Sequence, residues 1–288
     1  MSAMTTTTTV PFIGERARSR IPVVRCERLL WRRLDPGRRR ALGDALYAIF
    51  ADYYAGFDRE AFTELFLARE GVVVALLYGA DGRLAGFCSV RRAIYSAAGQ
   101  RFGVFSAGVY VDTDYRGGRV AARFGLGEAL RFKLSHPWLQ VAYLGLAHTP
   151  APYRLFTQTM ERVYPSRAAR SGEPPEVIAA VMGQALADRG WPQVGEDPCV
   201  LATPMLARRS RWFERKPELR DDPDVRFFTE RVPGWAEDGH ALSVWIPLDL
   251  KDIAGAALRM LRQSVALGDN RKRLAAPALP KLKLGRGE

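Results

Sequence analysis

The chain's apolar positions change period several times, and the changes mark out its elements. After the turn residues Asp35, Pro36 and Gly37, apolar side chains recur at Leu42, Leu46, Ile49, Phe50 and Tyr53. That three-to-four spacing predicts an amphipathic helix. Phe62, Leu65 and Phe66 predict a second helix ending near Gly71, so 38–70 reads as a helical pair. Residues 72–78 form an apolar run of strand length, closed by Gly79, Ala80, Asp81 and Gly82. A second strand is predicted over 84–94, and Asp81-Gly82 between the two runs predicts a hairpin because both positions tolerate positive φ. A third strand, 103–111, ends in the polar Asp112, Thr113 and Asp114. Helical period returns over 120–134, with Val120, Phe124, Leu130 and Leu134 along one side and Glu128 expected to be exposed. Residues 139–146 predict a fourth strand, and 150–164 a helix stopped by Pro165.

The order helix, helix, strand, strand, strand, helix, strand, helix predicts an α+β sheet, with a helix crossing between the third and fourth strands. Beyond residue 166 the signals weaken to helices over 176–187 and 253–265 and short strands over 200–206 and 242–246. Trp212, Phe213, Phe227, Phe228, Trp235 and Trp245 make this region aromatic, which reads first as secondary core and also allows an apolar acyl or acceptor pocket. No repeat or linker is evident. The organisation expected is one domain over 25–268, its motif region at 72–165 and a C-terminal elaboration at 166–268. Basic tails flank it at 1–24 and 269–288.

Charge sharpens this picture. The formal net charge of +12 resides in two stretches. Residues 15–40 hold ten arginines against three acidic residues, 271–288 hold six basic residues against one acidic residue, and 41–270 are balanced. A groove for nucleic acid would carry basic charge on the folded body, so nucleic acid is disfavoured. The ends read as solvated charge, or as attraction for an acidic partner such as an acyl carrier protein, RNA or an anionic membrane surface. A candidate helix over 250–265 has an apolar side and three cations, a pattern that favours packing on its own domain over lipid. No apolar run reaches the ~20 residues that span a bilayer. The opening residues lack the apolar core of a signal peptide, so a cytoplasmic protein is expected. Three distant cysteines argue against a disulfide framework, and the three histidines show no metal-ligand spacing, so no metal is expected.

The stretch from Val109 to Leu130 carries the chemistry. A strand stops, Tyr115, Arg116, Gly117 and Gly118 form a turn, and a helix starts near Arg119. Glycines there let the backbone expose its amides, which with the positive helix end make a site for phosphate oxygens. Arg116 and Arg119 add charge to it. A Gly-rich turn that merely starts a helix explains the same residues. No GxxxxGK[ST] is present, and Gly125 and Gly127 fall inside the helix, so neither a P-loop nor a dinucleotide fingerprint fits.

On these residues the chain resembles the GNAT (GCN5-related N-acetyltransferase) superfamily, over roughly 72–165. The family's acyl-CoA loop, [QR]-x-x-G-x-[GA], is matched by Arg116-Gly117-Gly118-Arg119-Val120-Ala121 at its first and last positions, with Arg119 standing where glycine is usual. The resemblance implies a mixed, mostly antiparallel sheet with flanking helices and a splayed central strand pair, formed by 103–111 and 139–146. It implies acyl-CoA, acetyl or longer, as co-substrate, and an amine acceptor, small molecule or peptide. Val109, Val111, Arg116, Gly117, Gly118, Arg119, Val120 and Ala121 would then hold the coenzyme. The family's later motif of Asn, Ala and Tyr falls on Thr149, Pro152 and Phe156, so the usual tyrosine acid is missing. Tyr153 is the preferred substitute, with Tyr164 as the other candidate.

Direct attack of an amine on a thioester needs a neutral amine, an oxyanion donor and a proton for the departing thiolate. A backbone amide within 109–111 is the candidate oxyanion donor. Base candidates are Asp112, Asp114, His148 and, through water, Tyr110, although aspartates after a strand commonly cap the next turn. His136 is expected at a solvent position, and Cys88 in core packing. Beside this stand a carrier-protein or long-chain acyl donor, and a GNAT-fold protein that holds CoA without chemistry.

Overall fold

The computed structural model describes residues 20–116, 118–167, 172–208 and 219–249, with Lys251 and Gly255. Side-chain chemistry at the element ends explains where several of them start. Helix α1 (Pro36–Ala51) opens with proline at its first position, and the Asp35 carboxylate accepts from the Arg38 amide at 2.9 Å. Helix α2 (Arg59–Phe62) is capped in the same way by Asp58 on the Ala61 amide and runs on as a π-helical turn, Thr63–Ala68. Such caps satisfy amides that the helix itself cannot. Strands β3 (Val72–Gly79) and β4 (Leu84–Ala97) form the expected hairpin, with Gly82 at φ 77°. A second hairpin joins β4 to β5 (Gln100–Val111) through Ala98 and Gly99, at φ 48° and 72°. Two successive positive φ values are the signature of a type I′ turn.

Strand β6 (Tyr115–Arg116) leads into α3 (Gly118–Ser135), which is followed by β7 (Gln140–Ala147) and α4 (Pro150–Thr159). Ahead of them all lies β1 (Ile21–Leu29), and a short β2 (Tyr54–Ala55) separates α1 from α2. The later chain adds α5 (Glu176–Ala187), β8 (Val200–Ala202), β9 (Leu206–Ala207), α6 (Pro223–Arg231) and β10 (His240–Pro247). Eight strands make one sheet in the order β6-β1-β3-β4-β5-β7-β10-β8. Its pairs are antiparallel except β1 with β6 and β5 with β7. This is the mixed, mostly antiparallel α+β sheet that the resemblance implies. The region after 166 is part of the same sheet, because β10 pairs along β7 from Leu242 to Pro247. Phe228, Trp235 and Trp245 are buried there in a common core with Phe102, Leu144 and Leu242.

The helices divide between the two faces. Leu46, Phe50 and Phe62 of α1 and α2 pack on Val74, Leu76, Phe87 and Tyr110. Ala121 and Ala129 of α3 pack on the opposite side, against Leu77 and Ala85 and against Ala75, Cys88 and Phe105. A fully buried Phe50 removes enough apolar surface from water to stabilise the fold by about 2 kcal/mol.

Three expectations are corrected. Strand β1 starts at Ile21, inside the stretch read as a basic tail, because it pairs antiparallel with β3 and buries Val23 and Leu29. The buried side of α3 is Ala121, Glu128, Ala129 and Phe132, whereas Leu130 and Leu134 are exposed. Glu128 is wholly buried because Arg28 of β1 and Arg92 of β4 bring positive charge to it, joined by Arg131. Trp212 and Phe213, the two basic ends 1–19 and 271–288, and most of the candidate helix over 253–265 lie outside the described residues. Among the described residues no helix is long and apolar enough to cross a membrane.

Candidate functional site

Strands β5 and β7 hold the key geometry. They pair in parallel only from Phe102 opposite Gln140 to Phe105 opposite Tyr143. Beyond that point β5 continues to Val111 and β7 to Ala147 without pairing to each other, so the two strands part. Strand β4 stays paired to β5 as far as Val111, which leaves one edge of β5 open.

Strand alternation decides which backbone groups face this opening. The Ala107 carbonyl faces it and accepts from the Tyr143 hydroxyl at 3.1 Å. Val111 faces it too, and its amide and carbonyl are both engaged by the Tyr53 hydroxyl. Val109 lies midway in the same phase, and no strand stands opposite its N–H and C=O.

A cavity of about 570 Å³ occupies the gap and reaches both faces of the sheet. From the α1, α2 and α5 side it is lined by Tyr54, Phe66, Ser106, His148 and Arg189, and from the α3 side by Val109, Tyr143 and Phe156. Gly145 makes room for this arrangement. A Cβ there would stand 2.7 Å from the Tyr143 ring and 3.2 Å from Phe156. A second cavity of about 630 Å³ adjoins the first and shares Leu65, Arg69, Arg189 and Trp191 with it.

The titratable groups of the cavity carry unusual protonation. Burial, with help from the nearby Arg189 charge, lowers His148 to about 4, so its imidazole is neutral at pH 7. Its Nδ1 is buried with no hydrogen-bond partner among the described residues, and its ring meets that of Tyr54 at 5.2 Å. Burial raises Tyr143 and Tyr54 to about 12, so both hydroxyls keep their protons. Arg189 is drawn down to about 10, first by desolvation and then by Arg91, and still carries its charge at neutral pH.

The sequence-predicted residues divide into three groups. His148 and Val109 line the cavity, and Val111 sits at its edge, although Tyr53 occupies its amide. Tyr110 lines it as well, but its ring is buried between Phe50 and Phe87 and burial lifts its hydroxyl far above the usual range, so it is corrected from base to wall. Three residues stand elsewhere. Tyr153 is fully buried, stacked on Phe227, and donates to the Pro165 carbonyl, so it cannot reach a leaving group in the cavity. Tyr164 forms a bridge with Trp245 outside the cavity lining. The Asp112 carboxylate accepts from the Asp114 amide, the turn-capping role that aspartates after a strand often take. His136, expected in solvent, is half-buried and held by Ser135 and Phe132 at the end of α3, whereas Cys88 is core, as expected.

The turn into α3 is described only in part. Helix α3 begins at Gly118 directly after the strand exit, which is pinned by Tyr115 beside Ile21 and by its hydroxyl on Asp81. Val120 and Ala121 pack in its first turn against Val23 and Leu77. Gly117 and the side chains of Arg116 and Arg119 lie outside the described residues.

Sequence reasoning missed Tyr143, Tyr54, Ser106 and Arg189. Tyr143 sat unremarked within an apolar strand run, and Arg189 follows a helix that lies beyond the end of the motif region.

No protein-family model matches the chain, and no curated protein matches it in sequence. Among solved structures it is similar to an Enterococcus faecalis V583 protein of unknown function, named as a candidate N-acyltransferase. That likeness has 13% identity and a TM-score of 0.33, and it covers 49% of this chain and 32% of that one. This chain therefore spans about a third of that protein's length. It is also similar to a candidate phosphinothricin N-acetyltransferase (18% identity, TM-score 0.32, 52% of this chain and 92% of that one). A third likeness is to ribosomal-protein-alanine N-acetyltransferase from Brucella melitensis biovar Abortus 2308 (18% identity, TM-score 0.34, 53% and 98%).

Proposed function

We propose that this chain is an N-acyltransferase that moves an acyl group from acyl-CoA to an amine. One observation carries the reading. Two parallel strands part around a cavity, and the open edge presents a backbone amide with no strand opposite it among the described residues, beside a neutral imidazole and two protonated phenols. A thioester in that gap would meet the Val109 N–H at its carbonyl oxygen. Donors of this kind, where removed, have cost about 3–4 kcal/mol of transition-state stabilisation.

The reaction is a direct displacement. The amine nitrogen bonds to the thioester carbon, the C–S bond breaks, and one proton moves from nitrogen to sulfur or to solvent. Tyr143 is the group in the gap whose hydroxyl can protonate the thiolate, taking the place of the tyrosine that Phe156 replaces. His148, neutral at pH 7, can accept a hydrogen bond from the attacking amine without adding charge. The diphosphate of the coenzyme belongs at the turn into α3, on the amides and guanidiniums of 116–121. Leu65, Phe66, Leu144, Leu146, Leu155 and Met205 give the cavity apolar walls suited to acyl chains longer than acetyl, whether delivered on CoA or on a carrier protein.

Calorimetric titration with acetyl-CoA and octanoyl-CoA, followed by thiol release with a panel of amines, tests the reading. Saturable binding and amine-dependent thiol release are expected. Binding without release from any amine would support the second reading, a CoA-binding protein without chemistry, which the replacement of tyrosine by Phe156 favours. Absence of binding would refute both.

A further inference from the structure

The cavity wall holds more positive charge than it neutralises. Arg69, Arg91 and Arg189 all line it. Asp188 bonds to Arg69 and Arg91 and accepts from the Tyr95 hydroxyl at 2.8 Å, so its oxygens are engaged. Burial pushes Asp188 up, but the Arg91 and Tyr95 hydrogen bonds outweigh it and keep the carboxylate ionised. Arg189 has no carboxylate partner among the described residues. Its guanidinium donates to Ser106 Oγ at 2.7 Å and sits 5.7 Å from the Trp191 ring centre. Glu64, on the wall of the adjoining cavity, makes no ion pair with it among the described residues. An unpaired guanidinium drawn partly out of water is costly, and a carboxylate ligand is the planar partner that offsets the cost.

We infer that Arg189 binds a carboxylate on the amine acceptor, so that the acceptors are amino acids or related amino-carboxylates. The inference rests on the acyl-transfer reading and narrows its acceptor. Arg189 stands where the two cavities meet, so an acceptor in the adjoining cavity can place its carboxylate there and its amine toward Val109. Ser106 aims the guanidinium from the same strand that carries Val109.

The test compares phenylalanine with phenylalaninamide, and 4-aminobutyrate with 4-aminobutanamide, using acetyl-CoA, octanoyl-CoA and succinyl-CoA. Wild type should show higher kcat/KM for each carboxylate than for its amide. Arg189→Met should reduce the carboxylate-to-amide ratio by about 10- to 100-fold, the worth of a charge-assisted pair. Arg189→Lys should keep part of the preference. The melting temperature of Arg189→Met should change little, because removing an unpaired charge from the cavity wall offsets the lost hydrogen bond to Ser106. An unchanged ratio overturns the inference. So does a wild type that uses uncharged amines and loses only succinyl-CoA turnover in the variant, since the carboxylate would then belong to the donor. If wild type releases no thiol with any pair, the acyl-transfer reading fails. Calorimetry with phenylalanine then decides the carboxylate site on its own. Weaker binding in Arg189→Met supports it, and equal binding or no heat in wild type overturns it.

Discussion

Replacing Glu128 by glutamine perturbs one atom in the most concentrated charge cluster of the fold. The Glu128 side chain has no solvent exposure, and Arg28 reaches it with Nε at 2.9 Å and a second nitrogen at 3.4 Å. Arg131 donates to the same carboxylate, and Arg92 stands 3.7 Å away. The cluster therefore ties β1, β4 and α3 together. Removing one partner of a fully buried pair costs about 3–5 kcal/mol, whereas an exposed pair contributes about 0–1 kcal/mol. Here the carboxylate is buried but its arginines are 25–63% exposed and can rehydrate. The loss for Glu128→Gln should lie between these limits, at about 2 kcal/mol. For a domain of this size that is about 4–8 °C in melting temperature. Burial raises the Glu128 pKa, yet the Arg28 and Arg131 hydrogen bonds and the charges of Arg28 and Arg92 prevail and hold it below the usual range. A depressed carboxylate contributes stability that is full above the unfolded value, about 4.3, and is lost as pH falls through the folded one. Calorimetric melting of both proteins from pH 7 to pH 3 should show a gap that is constant near neutrality and closes in acid. Equal melting at pH 7, or a gap indifferent to acid, would refute this account of the cluster.

The other predictions concern the cavity and its neighbours. Tyr143→Phe should lower kcat about 100-fold with little change in acyl-CoA binding, read by stopped-flow thiol release; an unaltered kcat removes it as the proton donor. Tyr153→Phe should leave turnover intact and cost about 1 kcal/mol in urea unfolding for the hydrogen bond to Pro165; slowed turnover at full stability would return it to the site. His148, at about 4 when folded and about 6.5 when unfolded, leaves the unfolded chain holding the extra proton between those values. Stability should therefore fall by about 3 kcal/mol as pH drops from 6.5 to 4, and His148→Gln should flatten that slope in pH-dependent melts.

Local patterns were legible where burial is dictated by neighbours in sequence. The run Val72–Gly79 is apolar on both faces and proved to be a strand buried on both faces, and the Asp81-Gly82 turn needed only its own φ values. Long-range compensation was not legible. Nothing near Glu128 in the sequence announces that Arg28 will come to it from a strand a hundred residues earlier, so a glutamate was assigned to solvent and Leu130 and Leu134 were set on one apolar side with Val120 and Phe124. The tail expected over 1–24 likewise took in the first residues of β1, whose partner strand lies some fifty residues further on. At the site, helix phase decided the outcome. Tyr153 and Phe156 are three residues apart on α4, but Phe156 meets the cavity while Tyr153 lies fully buried against Phe227. Spacing from the resembled motif pointed to a helix that borders the cavity, and only packing shows which side of it the gap sees.

The charge of the cavity bears on how an amine could become reactive there. An alkylammonium ordinarily keeps its proton at pH 7, near the pKa of lysine, about 10.4. His148, at about 4, is too weak a base to hold that proton in a stable ion pair. On the proposed reading, the site itself shifts the equilibrium. Burial disfavours the ammonium, and the Arg189 charge, left unmatched until a carboxylate arrives, repels it further. Both effects lower the amine's own pKa toward neutrality. An acceptor bearing a carboxylate would cancel the second effect in part, because its anion screens the guanidinium. A carboxylate acceptor should thus trade amine activation for binding, lowering KM more than it lowers kcat. An acidic limb in kcat/KM that follows the acceptor's pKa, and is insensitive to His148→Gln, is the kinetic signature expected of that arrangement. A limb that moves with His148 would instead assign the proton transfer to the imidazole.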